Sequence, residues 1–191
     1  MPRIPLLPAD EARAAASAAG VPEMMAELAV FRVLLQNPPV AVALNDMLSA
    51  LLWHGRLDAR LRELIIMRIG WSTDSVYEWT QHWRVATHLG VDHDDLLAVR
   101  DWERSDRFGA AERAVLAATD ETLAHGTISD VTWRECVEAI GDTDALVELV
   151  VAIGNWRLFS SLLRSLEVPL EDGVDPWPPD GRSPGGTPSE R

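Results

Sequence analysis

The stretch LDARLRELIIMRIGWSTDSVYEWTQHWRVATHLG, residues 57–90, decides the fold. Its first half places Leu61, Leu64, Ile65, Ile66, Met67 and Ile69 on nearly every side of a helix, the pattern of a helix buried all round. Its second half carries Ser75, Glu78 and His82 at i, i+3 and i+7, which is one face of a second helix. Working outward, the prolines all fall at positions 2–39 or 169–188, and none lies between 40 and 168. Proline inside a helix costs ~3 kcal/mol, so a long proline-free block rich in Ala, Leu, Arg and Glu reads as helical. Gly20, Gly55, Gly90, Gly126 and Gly141 each follow an apolar-periodic run, as helix stops do. The expected fold is all-α, a multi-helix bundle with helices over 9–19, 22–36, 38–54, 57–71, 73–89, 92–105, 109–125, 129–140 and 142–167. The run 147–154 taken alone would suit a buried strand. Its apolar pattern continues through Trp156, Phe159, Leu163 and Leu166 at helical spacing, so it reads as helix.

A chain of 191 residues fits one domain, or one domain with a tail. We expect an N-terminal arm and short helix over 1–21, a helical domain over 22–167, and a mobile tail over 168–191, which carries half the prolines. Docking of Trp177 on a neighbouring subunit is the alternative for that tail. The net charge of −13 argues against a nucleic-acid or anionic-membrane partner, since both need a cationic footprint. All 17 basic residues are Arg, which excludes Schiff-base, pyridoxal and P-loop lysine chemistry. Cys136 is the one cysteine, so an intrachain disulfide, a CxxC pair and a multi-cysteine zinc site are excluded. No uninterrupted apolar run reaches the ~18 residues of a membrane span, and MPRIPLLPADEA does not read as a signal peptide, so a cytoplasmic protein is expected.

Glu63 lies inside the apolar helix, where a carboxylate must find a partner such as Arg60 or Arg62, or shift its pKa. Glu78 and His82, one turn apart, form the minimal unit of acid–base chemistry: the carboxylate orients the ring, and the pair passes a proton near neutral pH. Tyr77, the only tyrosine, sits on an adjacent face, and Trp71, Trp79 and Trp83 supply apolar walls that would raise a carboxyl pKa. Glu-x-x-x-His is also the spacing of a plain surface ion pair. HExxH is absent, and the VDHDD run reads as an acidic helix start, so no metal is expected.

The segment from about Leu57 to Leu96 resembles the carboxymuconolactone decarboxylase / alkylhydroperoxidase D-like family. It shares the helix L-x-x-R-L-R-E-L-I-I-M-R and the following S-V-Y-E-W-T-Q-H-W-R-V-A-T-H-L-G-V, and LVELVVAIGNWRLFSSLLRSLEVPL resembles the family's last helix. The peroxidase branch reads C-x-x-C-x-x-x-H, with a glutamate twelve residues before the first cysteine. On that pattern Glu63 takes the glutamate position, Ser75 and Glu78 stand where the cysteines would be, and His82 matches the histidine. A peroxidase cycle needs a thiolate and a resolving thiol, which Ser75 and Glu78 cannot supply.

The resemblance therefore implies the decarboxylase branch: cofactor-independent proton transfer on a small carboxylated or lactone-type molecule, by an oligomer, a trimer or hexamer. His82 would be the acid or base, with Glu78 orienting it or sharing the proton. Glu63 would be a second carboxylate, and Tyr77 or Ser75 would donate to a developing oxyanion. An AhpD-like peroxidase and a non-catalytic helical binding or assembly protein are the alternatives.

Overall fold

A computed structural model describes residues 2–186. All regular structure among the described residues is helical, with no strand. The α-helices are α1 (Ala9–Ala19), α2 (Ala29–Leu34), α3 (Pro38–Trp53), α4 (Ala59–Ser72), α5 (Val76–His88), α6 (His93–Ala98), α7 (Ala110–His125), α8 (Asp130–Ile140) and α9 (Thr143–Leu166). Two expected helices are broken. Residues 22–36 form a 3-10 turn, Glu23–Glu27, and then α2, because Leu28 between them is extended at φ −81°, ψ 131°. Residues 92–105 form α6 and a 3-10 turn, Val99–Arg104, in which Asp101 leaves helical geometry. Apolar spacing of three or four residues suits both kinds of helix, which is why the sequence does not separate them.

The described chain divides into two compact units, residues 2–55 with 162–174 and residues 56–161 with 175–186. Periodicity reports which residues are helical, not which helices share a core. In the first unit, α1, α2 and α3 bury Ala12, Ala16, Phe31, Ala41 and Leu48. Glu171 accepts a hydrogen bond from the Ala29 N–H at 2.9 Å.

The second unit holds the expected site. Asp58 caps α4, its Oδ1 accepting from the Leu61 N–H at 3.0 Å, and Leu64, Ile65, Ile66, Met67 and Ile69 are all fully buried. The chain reverses through Thr73–Ser75, with Asp74 in the left-handed region at φ 55°, a conformation Asp tolerates. So short a connection lays α5 back along α4. Their closest approach is at Gly70, where a Cβ would stand 2.9 Å from the Trp79 backbone nitrogen and 3.4 Å from the Glu78 Cβ. Glu63 and Gly70 are two turns apart on the same face of α4, so the bare backbone at Gly70 brings α5 against the face that carries Glu63.

The tail makes contacts through Trp177, Pro178 and Asp180. Trp177 is buried against Trp71 and Trp79, with ring centroids 6.0 and 6.1 Å apart. The Trp79 indole N–H donates to the Pro178 carbonyl at 2.8 Å. Asp180 pairs with both terminal nitrogens of Arg100, whose guanidinium lies 4.6 Å from the Trp71 ring centre and 4.8 Å from that of Trp79. Proline-rich composition reports poor helix propensity and says nothing of burial, so a segment that docks by one tryptophan and one ion pair looks like a loose end in sequence. Residues 187–191 lie outside the described residues.

By length and composition α9 is apolar enough to cross a membrane, although half of that window is buried inside the protein. Leu149, Ile153 and Trp156 are among its buried residues.

Candidate active site

The structure brings Glu63, Glu78 and His82 together between α4 and α5. The His82 Nδ1 is 2.8 Å from the Glu63 Oε2, and its Nε2 is 3.5 Å from the Glu78 Oε2. Glu63 is fully buried, and the side chains of Glu78 and His82 are 5% and 12% exposed, so these groups meet largely out of water. Of the two arginines expected to partner Glu63, Arg62 does so, its Nε donating to Oε1 at 3.1 Å, while Arg60 turns to Asp95 at 2.8 Å.

Glu63 holds the near ring nitrogen at hydrogen-bond distance, while Glu78 faces the far one. A further residue, Trp156 of α9, enters the site, its indole N–H donating to His82 Nε2 at 3.2 Å with the rings edge-on at 86°. In the sequence Trp156 shows only as apolar periodicity; a tryptophan in a core helix carries no mark of where its N–H points.

The electrostatics follow from burial. Burial pushes the Glu78 carboxyl up to about 7, the Glu63 charge adds to this, and His82 opposes it. At His82 burial disfavours the imidazolium, but Glu63, by charge and hydrogen bond, and then Glu78 outweigh it against Arg62, so these groups together raise its pKa. With Arg62 neutralising Glu63, Glu78 and His82 form a coupled pair that shares one proton in a nearly dry site, the setting for acid–base chemistry near neutral pH.

Ser75 is buried immediately before α5, and its Oγ has no hydrogen-bond partner among the described residues. Tyr77 is buried on α5, one residue before Glu78. Cys136 is far from this arrangement in kind: its thiol is buried, contacts the Ala114 carbonyl at 3.6 Å, and burial pushes its pKa up to about 11, opposite to a reactive thiolate. Among the described residues, no group of three or more His, Cys, Asp or Glu is placed to hold a metal ion.

The sequence matches no curated relative. Among solved structures it is similar to the alkylhydroperoxidase AhpD core of a peroxidase-related protein from Ralstonia eutropha JMP134, with a TM-score of 0.71 and 16% identity over 90% of this chain and 93% of that one. It is also similar to a peroxidase-related protein from Silicibacter sp. TM1040, with a TM-score of 0.69 and 12% identity over 91% of each chain. A debrominase, Bmp8, solved in complex with 2,3,4-tribromopyrrole, matches with a TM-score of 0.65 and 18% identity over 85% of each chain. At these identities the likeness is one of fold. The model of the carboxymuconolactone decarboxylase family matches residues 38–121, the stretch that contains Glu63, Ser75, Tyr77, Glu78 and His82. On that match and that fold, residues 38–121 are similar to the carboxymuconolactone decarboxylase family, and the chain has the helical fold of the AhpD-like structures.

Proposed function

We propose that the protein is a cofactor-independent acid–base enzyme that moves a proton on a small carboxylated or lactone-type molecule. The observation that carries this reading is the buried Glu78 carboxyl, pushed to about 7 and facing the His82 Nε2 at 3.5 Å, with Glu63 holding the other ring nitrogen. A group that titrates near the working pH is the most effective proton donor and acceptor there. In this reading Glu78 and His82 exchange the proton with the substrate, Glu63 orients the ring, and the buried Ser75 hydroxyl or Tyr77 would donate to a developing oxyanion. The ring compound bound by the debrominase of the same fold is in keeping with a substrate of that size. A thiol peroxidase is disfavoured because the only cysteine is Cys136, buried and outside the site. The partner is a small molecule, and self-association as a trimer or hexamer belongs to the same proposal.

The test is turnover by purified protein on a panel of small carboxylated and lactone compounds, beside His82→Ala and Glu78→Gln. Each variant is expected to lose ~10²–10⁴-fold in rate, and the double variant little more than either single one. Additive losses of a few-fold would leave only a structural ion pair.

A further inference from the structure

We infer that Trp156 is a positioning residue: by donating its indole N–H to His82 Nε2 it fixes the ring's tautomer and leaves the mobile proton of the site on Glu78. This deepens the acid–base reading of the same site, but it concerns the resting protein and is measured without substrate.

A neutral imidazole has one N–H and one lone pair, and an indole can only donate. Here the indole N–H points at Nε2 at 3.2 Å, while Nδ1 lies 2.8 Å from the Glu63 carboxylate. One arrangement satisfies both contacts: Nδ1–H donating to Glu63, with a bare Nε2 accepting from Trp156. Protonating Nε2 would set two N–H groups head to head and leave the indole donor, in a side chain only 1% exposed, without its acceptor.

The groups facing His82 are Glu63 and Arg62 from α4, Glu78 from α5 and Trp156 from α9. The two carboxylates favour the imidazolium. Burial and Arg62 oppose it but are outweighed, so charge alone raises the ring's pKa; the Trp156 indole acts against that rise, at the nitrogen that Glu78 faces. With His82 neutral, the positive charge that would draw the proton off Glu78 is gone. Glu78 is 4% exposed, so burial then keeps its carboxyl protonated. Trp156 thus decides which member of the pair is charged, although it gains or loses no proton itself.

The experiment is nitrogen NMR on the labelled full chain at pH 7. His82 is expected as the neutral ring with Nδ1 protonated and Nε2 bare, and a through-hydrogen-bond coupling should join Nε2 to the Trp156 indole nitrogen. An imidazolium at pH 7 would overturn the inference on the unaltered protein, so the outcome does not depend on any variant folding. Trp156→Phe keeps an aromatic ring and removes the N–H. In it His82 should titrate about one pH unit higher, and carbon NMR should show the Glu78 carboxyl ionising at correspondingly lower pH. Identical His82 and Glu78 titrations in the two proteins would also overturn the inference, since a purely packing role predicts them. Loss of turnover in every substrate panel would defeat the acid–base reading while leaving these signals intact.

Discussion

Glu78→Gln measures what the fold pays to bury this carboxyl. In the unfolded chain Glu78 ionises near 4.5, and in the folded protein burial, with Glu63 adding and His82 opposing, holds it protonated up to about 7. Below pH 4.5 the group is protonated in both states and its contribution to stability is fully present. Between 4.5 and about 7 the unfolded chain releases the proton and the folded protein keeps it, so stability falls by ~1.4 kcal/mol per pH unit. Above 7 both states are ionised, and the accumulated loss stays at about 3 kcal/mol. Gln has no proton to release. Urea unfolding of the two proteins at pH 4.5 and pH 8 should therefore show their stability difference changing by about 3 kcal/mol, with the Gln variant relatively favoured at pH 8. The ion-paired Asp142 and Asp180 are present in both proteins and cancel in the difference, which reads Glu78 together with the His82 it is coupled to. A difference that stays constant between the two pH values would refute the claim that Glu78 is strained by burial, and with it the carboxyl's fitness as a proton donor near neutral pH.

Two other outcomes follow from the geometry. Gly70→Ala should destabilise the protein by ~1–3 kcal/mol in urea and reduce turnover more than a surface Ala would, because the new methyl meets the Trp79 backbone at 2.9 Å and must push α5, and Glu78 with it, away from α4. Cys136→Ser should leave any activity within a few-fold, and the native thiol should resist alkylation until the protein unfolds; rapid modification of the folded protein would contradict its burial.

The helices around the site were legible because apolar residues recur along α4 at helical spacing and no proline interrupts them. Glu63, Glu78 and His82 were legible as a set because two packed helices joined by a short turn keep residues at fixed spacing near one another. Their division of labour was not. Which carboxylate takes Nδ1 depends on side-chain reach across the α4–α5 contact, and that is set by the close approach at Gly70. Trp156 was illegible for a different reason: its apolar bulk and its polar N–H are read by the same letter, and only the bulk shows in periodicity. The break at Leu28 and the docking of Trp177 were hidden likewise, one in a backbone angle and the other in a contact between residues far apart in sequence.

The division of the chain bears on how the protein can be made and dissected. Residues 38–121 match the family model, yet they are not a piece that can be cut out. A fragment ending there would leave the Trp79 indole without Pro178 and the His82 Nε2 without Trp156. During synthesis the Thr80 hydroxyl must wait 97 residues for the Trp177 N–H that it accepts, and the Ala29 N–H must wait 142 residues for Glu171. At ribosomal speed the first interval lasts roughly 5–20 s. For that time the nascent chain carries a tryptophan cluster still lacking Trp177 and, separately, an N-terminal unit still lacking Glu171, so the protein's life begins with seconds in which each unit waits for its last segment.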